Sequence, residues 1–141
     1  MIIDITAPSL EKFDLGGVLY HANYFHLFEQ TREKFLELSN LPYPELVKEN
    51  SHLAIVKAEI DYLKPIFYGD KIDIDLTCSK IKKTNFWFHY KITRSSKIIT
   101  TASSKMVFVK NLVPRRIPEK LSIALEKVTR EENEENTAEV A

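Results

Sequence analysis

The chain has 141 residues, enough for one domain with a sizeable core, because single domains commonly run to about 100–150 residues. Its apolar content of 44% is ordinary for a globular protein, and no uninterrupted apolar run approaches the roughly 18 residues that suggest a membrane span. The formal net charge is zero, but the charges are unevenly distributed along the chain.

The N-terminus and the cysteine content bear on the cellular compartment. The first ten residues, MIIDITAPSL, lack the basic start and long apolar stretch of a signal peptide. Cys78 is the sole cysteine, so no internal disulfide can form. Both features favour the cytoplasm.

The N-terminal segment predicts a strand followed by a turn. Ile2, Ile3 and Ile5 are β-branched and suit a strand, whereas Pro8 limits how that strand can pair in its interior. We therefore expect an irregular or edge strand in residues 2–13.

One long helix is predicted after a sharp turn at Gly16 and Gly17. It should begin near His21 or Ala22 and be over by Asn40, because Pro42 and Pro44 resist its continuation. A loop is then expected to about Ser51. Two neighbouring stripes at helical spacing make the helix apolar over about half its circumference. The stripes are Phe25, Phe28, Arg32, Phe35 and Tyr24, Leu27, Thr31, Leu38.

From His52 onward the apolar period changes from helical to twofold, which predicts four strands. They cover residues 53–64, 71–82, 86–92 and 98–109, with a hairpin turn at residues 95–97 and a short terminal helix at 119–127. The fold class predicted is therefore α+β, with a curved antiparallel sheet wrapped around one long central helix.

The strand periods also predict which side chains face the core. In the first of the four strands, Ala54, Val56, Ala58, Ile60 and Tyr62 should share the buried face. On later strands, four apolar residues fall on the face opposite the core set, and burial between subunits would explain them better than exposure. These residues are Trp87, Ile99, Val107 and Val109. We therefore predict a homo-oligomer, a homodimer or a homotetramer.

Charge is segregated in the C-terminal half of the chain. Between Leu76 and Pro118 there is no acidic residue, and every charged side chain is a lysine or arginine. From Thr129 the chain is rich in glutamate and poor in apolar residues, so we predict a domain at 1–128 and a disordered acidic tail at 129–141.

The segment DLGGVLYHANYFHLFEQTREKFLE, residues 14–37, resembles the signature of hot-dog-fold acyl-CoA thioesterases of the 4-hydroxybenzoyl-CoA thioesterase type. It looks most like the short bacterial Tol-Pal-associated subgroup. Weaker similarity runs through AEIDYLKPIFYGD, residues 58–70, to RRIP, residues 115–118. The resemblance implies the hot-dog fold, hydrolysis of an acyl-CoA thioester and no cofactor.

The resemblance also implies roles for particular residues. Asp14 would act as general base or nucleophile on the thioester, and an aspartate that is ionised at neutral pH suits either role. The amide of His21 would donate to the oxyanion at the positive end of the helix dipole, and its side chain could orient water or the carbonyl. Gly16 and Gly17 would permit close substrate approach. The pocket would be shaped by Tyr20 and Asn23.

Other interpretations of these residues are weaker. An aspartate before a helix is often a cap or turn former, and a histidine is more often structural than catalytic. His21 and His26 are five residues apart, which does not place them on one helical face, so no metal site is predicted. Many relatives carry a second acid two residues before the catalytic one, where this chain has Lys12, so its local hydrogen bonds should differ.

Two other function classes fit parts of the sequence. The basic stretch from Lys80 to Arg116 suits the phosphates of coenzyme A, but it also contains Phe86, Trp87, His89 and Tyr90, which is a pattern found in nucleic-acid-binding proteins. A catalytically idle acyl-CoA binder is the other alternative. A hot-dog hydratase is disfavoured because Leu19 stands where its histidine would be.

Overall fold

The computed structural model describes residues 1–5 and 7–130, without the side chains of residues 4 and 5. Its helices and strands, in chain order, are β1 (Ile2–Ile5), α1 (Asn23–Leu38), α2 (Tyr43–Lys48), β2 (Ser51–Tyr62), β3 (Ile72–Ser79), β4 (Asn85–Arg94), β5 (Lys97–Lys110), β6 (Val113–Pro114) and α3 (Glu119–Glu126).

All the strands belong to one antiparallel sheet with the order β1-β3-β4-β5-β2, and β6 pairs with β5. The α+β prediction with an antiparallel sheet is confirmed. β1 lies at one edge, as expected. β2, twelve residues long, lies at the other edge.

Helix α1 packs its aromatic side chains against the middle of this sheet. The ring centroids of Phe28 and Tyr90 are 4.5 Å apart, and those of Phe35 and Phe88 are 5.5 Å apart. The helix ends at Leu38 because Asn40 adopts a left-handed conformation (φ 58°), and Leu41 then donates its amide to the Leu36 carbonyl. The long central helix of the prediction is confirmed.

The predicted loop between α1 and the first long strand is wrong, because α2 forms there. Pro44 lies in the first turn of α2, where its missing N–H costs nothing. Leu46 is buried and anchors this short helix to the core. Pro44 therefore favours the start of α2, whereas α1 has already ended before Pro42.

The predicted core face of β2 is wrong in its first half. Leu53 pairs with Phe108 and Ile60 pairs with Ala102, and all four belong to or pack against the core. A β-bulge leaves Val56 without a partner and reverses the alternation. Ala54 therefore faces away from the helix, whereas Ala58, Ile60 and Tyr62 face it.

A second bulge changes the prediction for β5. Ile92 pairs with Thr100 and Thr93 with Ile98, so Ile99 is the extra residue, and it turns into the core. Val109 is also buried within the single chain, next to its β6 partner. The placement of Ile99 on the outer face is therefore wrong, and neither residue needs a second subunit for its burial. Trp87 and Val107 are half-buried.

The chain end beyond α3 returns to the sheet at Cys78. The Arg130 amide donates to the Cys78 carbonyl at 2.8 Å, and Thr129 forms a bridge with Cys78. Burial raises the pKa of the Cys78 thiol to about 11, so it stays protonated at neutral pH. Thr129 and Arg130 belong to the predicted tail, and the rest of that tail, 131–141, lies outside the described residues.

Within 1–5 and 7–130, no helix is long and apolar enough to cross a bilayer.

Candidate active site

Asp14 begins a tight loop that precedes α1. Its amide donates to the Val18 carbonyl at 2.9 Å, and its carboxylate Oδ1 accepts the amides of Gly16 at 2.9 Å and Val18 at 3.3 Å. The side chain is otherwise exposed. One carboxylate oxygen thus fixes the loop, which leaves the other oxygen for solvent or a ligand.

The loop requires its two glycines for different reasons. A Cβ on Gly16 would lie 3.3 Å from Asp14 Oδ1, which is a tight contact. Gly17 has a φ of +81°, a conformation that side chains disfavour, and its carbonyl accepts the Tyr68 amide at 3.2 Å. Both glycines therefore support the shape of the loop that carries Asp14.

The Lys12 carbonyl braces the other side of the loop. It accepts the Tyr20 amide at 3.1 Å and the Asn23 side-chain amide at 2.8 Å. A backbone oxygen therefore braces this side of the loop. Asn23 serves as a structural tie at the first residue of α1.

The residues just before α1 present free amides. The amides of Asn23, Tyr24 and Phe25 bond back to the carbonyls of residues 20–22, whereas the described chain contains no acceptor for the amides of His21 and Ala22. The His21 carbonyl accepts the Tyr62 hydroxyl at 3.3 Å, and its ring lies 4.3 Å from the Tyr20 ring. Two free amides at the positive end of a helix can stabilise an oxyanion.

Exposed apolar side chains surround this loop. Leu15 and Tyr20 belong to it, and Phe67 and Tyr68 come from the facing β2–β3 connection. Asp14 and His21 do not line the clefts that lie along α1 and β2. The single chain therefore leaves the loop open on an apolar surface, where a substrate or another subunit can cover it.

The predicted basic stretch forms a cationic group at the opposite end of β3. The Ile117 amide donates to the Lys83 carbonyl at 2.8 Å, which brings the β3–β4 loop beside the segment after β6. The exposed cations there are Lys82, Lys83, Arg115 and Arg116. The eight residues of β3 span about 25 Å, so this group lies far from Asp14 within one chain.

The aromatic residues of the basic stretch do not form a surface for stacking nucleic-acid bases. Phe86, Phe88 and Tyr90 are all buried against α1. Trp87 is half-buried on the outer face, with the Lys57 ammonium 5.9 Å from its ring centroid. The aromatic residues in the described part of the chain therefore give no support to the nucleic-acid hypothesis.

His89 forms a polar cluster that sequence reasoning missed. Its Nε2 lies 2.6 Å from Ser79 Oγ and its Nδ1 lies 2.8 Å from Ser103 Oγ, on the sheet face away from α1. The sequence contains a signal for this cluster, because three neighbouring strands each carry a polar residue on the face away from α1. These residues are Ser79, His89 and Ser103. Burial, followed by the charges of Arg130, Lys80 and Lys91, lowers the pKa of His89 to about 4.

This lowered pKa predicts a loss of stability in mild acid. In the unfolded chain His89 gains a proton near pH 6.5, whereas in the folded chain it resists until about pH 4, so the free energy of unfolding should fall as pH drops between these values. Urea unfolding at several pH values should show a shallower fall for His89→Gln than for the unsubstituted protein. Parallel curves for the two proteins would contradict the assignment.

No group of three or more histidine, cysteine or acidic side chains in the part of the chain that the structure describes could hold a metal ion.

Known proteins resemble the chain over most of its length. Residues 9–125 match the Thioesterase-like superfamily. The acyl-CoA thioesterase YbgC of Haemophilus influenzae is 30% identical over 100 residues, which cover 70% of this chain and 74% of that protein. A 1,4-dihydroxy-2-naphthoyl-CoA hydrolase of Crocosphaera subtropica is 28% identical over 114 residues, 78% and 83% of the two chains. A hypothetical protein from Aquifex aeolicus, solved by crystallography, has a TM-score of 0.84 and 26% identity, covering 89% of this chain and 98% of that one.

Proposed function

The chain belongs to the thioesterase-like superfamily, and we propose that it hydrolyses an acyl-CoA thioester to a free carboxylic acid and coenzyme A. The observation that carries the proposal is the loop in which the Asp14 carboxylate leads directly to the free amides of His21 and Ala22. Relatives named as acyl-CoA and 1,4-dihydroxy-2-naphthoyl-CoA hydrolases support it.

Asp14 can promote hydrolysis in two ways. As a general base it takes a proton from water, whose hydroxide attacks the thioester carbonyl. As a nucleophile it attacks the carbonyl itself and forms a mixed anhydride that water then hydrolyses. Either route consumes one water, and the carbon–sulfur bond breaks to release the thiol of coenzyme A. The negative charge that develops on the carbonyl oxygen is stabilised by the amides at residues 21 and 22.

The remaining loop residues fit supporting roles in this proposal. Gly16 and Gly17 keep side chains away from the reacting centre, and Asn23 holds the loop against the start of α1. The exposed Tyr20 ring offers an apolar surface to the pantetheine or acyl group, and the His21 side chain is free to orient water.

We propose that two copies of the chain join through β2 to complete the site. β2 is a long edge strand with exposed Ile55 and Val56, and such edges readily pair with another strand. Antiparallel pairing of two β2 strands centred on Ala58 would set Lys57 opposite Glu59 of the partner subunit. It would also bring the Ser51 end of one β2 beside the Tyr62 end of the other.

This pairing accounts for the position of the cationic group. Ser51 pairs with Lys110, and the Tyr62 hydroxyl bonds to the His21 carbonyl. The end of one subunit that carries Lys110, Arg115 and Arg116 would then approach the catalytic loop of the other. Cations at this place suit the phosphates of coenzyme A.

A charge on the β2 edge should disrupt this dimer. Val56 is 58% exposed on this edge and lies two residues from the proposed pairing axis, so Val56→Lys would place an unpaired charge in the apolar part of the interface and should weaken dimerisation by roughly tenfold or more. Ile123→Lys, at an equally exposed site on α3, should have no such effect. Sedimentation equilibrium measures both. A monomeric unsubstituted protein, or equal dissociation constants for all three, would contradict the proposed interface.

A thiol-release assay over a panel of acyl-CoA substrates tests the proposed activity. The panel should contain short aliphatic, long aliphatic and aromatic groups. It includes 4-hydroxybenzoyl because we propose, from the sequence signature, that the chain is of the 4-hydroxybenzoyl-CoA thioesterase type and nearest to the Tol-Pal-associated subgroup. It includes 1,4-dihydroxy-2-naphthoyl because a hydrolase of that thioester is a relative of the chain. Turnover of at least one member is expected. Binding of acyl-CoA without turnover would instead identify a non-catalytic acyl-CoA-binding protein.

We predict a cytoplasmic location for either function.

A further inference from the structure

Arg32 is a charged residue in the apolar stripe of α1. Its Nη1 donates to the Tyr90 hydroxyl at 3.0 Å, and that hydroxyl shares a hydrogen bond of 2.8 Å with Ser104 Oγ. Tyr90 is only 1% exposed, and burial raises its pKa, so the phenol stays neutral and cannot neutralise the guanidinium. Among the side chains that the structure describes, no carboxylate forms an ion pair with Arg32, although a guanidinium has five donors to satisfy.

Arg32 lines a cleft between α1 and β2, which we call the α1–β2 cleft, and whose β2 side would adjoin the partner subunit in the proposed dimer. It consists of two adjoining hollows of about 600 Å³ and 130 Å³, both lined by Glu29, Arg32 and Ile55. Most of the other walls are apolar. They include Phe25, Phe28, Leu36, Val47, Leu53 and Ala58.

The α1–β2 cleft runs along the helix whose start carries the free amides. Its first lining residues, Phe25 and His26, come one helical turn after His21 and Ala22. Arg32 follows His21 by eleven residues, which corresponds to about 16 Å along a helix. An acyl group whose carbonyl lies at the His21 amide would therefore have to extend about this far along α1 to bring its far end to the guanidinium.

We propose that Arg32 binds an uncharged oxygen near the far end of the acyl group, so that the enzyme prefers a long acyl-CoA with a distal hydroxyl or keto group. The inference rests on the proposed function. Arg32 is half-buried, so solvent can reach its remaining donors in the free protein. A bound acyl group that displaces this solvent restores a hydrogen bond if it carries an oxygen acceptor, whereas a plain alkyl chain leaves a donor unpaired and loses affinity. Glu29 and Glu33 also line the cleft, so a distal carboxylate would meet two like charges.

The test compares lauroyl-CoA with ω-hydroxylauroyl-CoA, whose extended acyl groups have nearly equal length. The unsubstituted protein should have a kcat/KM roughly tenfold or more higher for the hydroxylated substrate. Arg32→Gln should bring this ratio close to one, whereas Lys34→Gln, which removes an exposed cation from the same helix, should leave it unchanged. Tyr90→Phe keeps the guanidinium and should retain the preference. The monothioester of the corresponding dicarboxylic acid should not be preferred.

Several results would overturn the inference while leaving the proposed function in place. Equal kcat/KM values for the two substrates in the unsubstituted protein do so without any variant, even if Arg32→Gln fails to fold. The inference is also overturned if Arg32→Gln has the same ratio of kcat/KM values for the two substrates as the unsubstituted protein. If that variant in addition dissociates the dimer, Arg32 serves the subunit contact instead. Absence of turnover across the whole acyl-CoA panel would count against the proposed function.

Discussion

Asp14→Asn should lower kcat for acyl-CoA hydrolysis by about 10²- to 10⁴-fold, the range typical for loss of a positioned acid or base. An amide neither accepts a proton from water at neutral pH nor attacks a thioester. Its Oδ1 can still accept the amides of Gly16 and Val18, so the loop should keep its shape. The substitution therefore removes the charge with little change in structure, and a continuous thiol-release assay measures the result.

The control for this experiment is Asp73→Asn, which removes a carboxylate from an exposed position on β3. It should hydrolyse acyl-CoA at the unsubstituted rate. Asp14→Ala should be as slow as Asp14→Asn and should also be less stable, because it leaves the two loop amides without their acceptor. Equal rates for Asp14→Asn and the unsubstituted protein would exclude Asp14 from the chemistry.

Regular strands could be predicted from the sequence, whereas bulged ones could not. In β3 the alternation of Ile72, Ile74, Leu76 and Cys78 predicts the buried face, and all four are buried. The bulges at Val56 and Ile99 arise from pairing with strands distant in sequence, and a single bulge reverses every assignment beyond it. The apolar periodicity within one strand does not show how that strand pairs with distant strands.

The Asp14 loop and the α1–β2 cleft differ in the same way. Asp14, Gly16, Gly17 and His21 are close in sequence, so a short motif is enough to predict the loop. The cleft joins Arg32 to β2, β4 and β5, and its sequence signal is only a charged residue in an apolar stripe. That signal marks Arg32 as a charged residue in an apolar environment. The fold is needed to show that its Nη1 donates to Tyr90 and that its other guanidinium donors have no partner in the described part of the chain.

Phe88→Ala should lower the free energy of unfolding by about 3–5 kcal/mol, the usual cost of truncating a buried phenylalanine. Phe88 is fully buried in the middle of β4, and its ring packs edge-on against Phe35 of α1 at 5.5 Å and against Phe86 at 4.8 Å. The substitution therefore removes part of the contact that holds α1, and hence the Asp14 loop at its start, on the sheet. Urea unfolding at a fixed protein concentration measures the change, since dimerisation would make stability depend on concentration.

Ile123→Ala is the matched control, because it truncates an apolar side chain that is 52% exposed on α3. It should change the free energy of unfolding by less than about 0.5 kcal/mol. Since typical domains have only about 5–15 kcal/mol of stability, Phe88→Ala should be folded but much closer to its unfolding midpoint. Its residual activity should then fall steeply with added urea, at concentrations that the control tolerates. A loss below about 1 kcal/mol would mean that the sheet closes around the vacated space, and that α1 is held mainly by its other contacts, such as Phe28 on Tyr90.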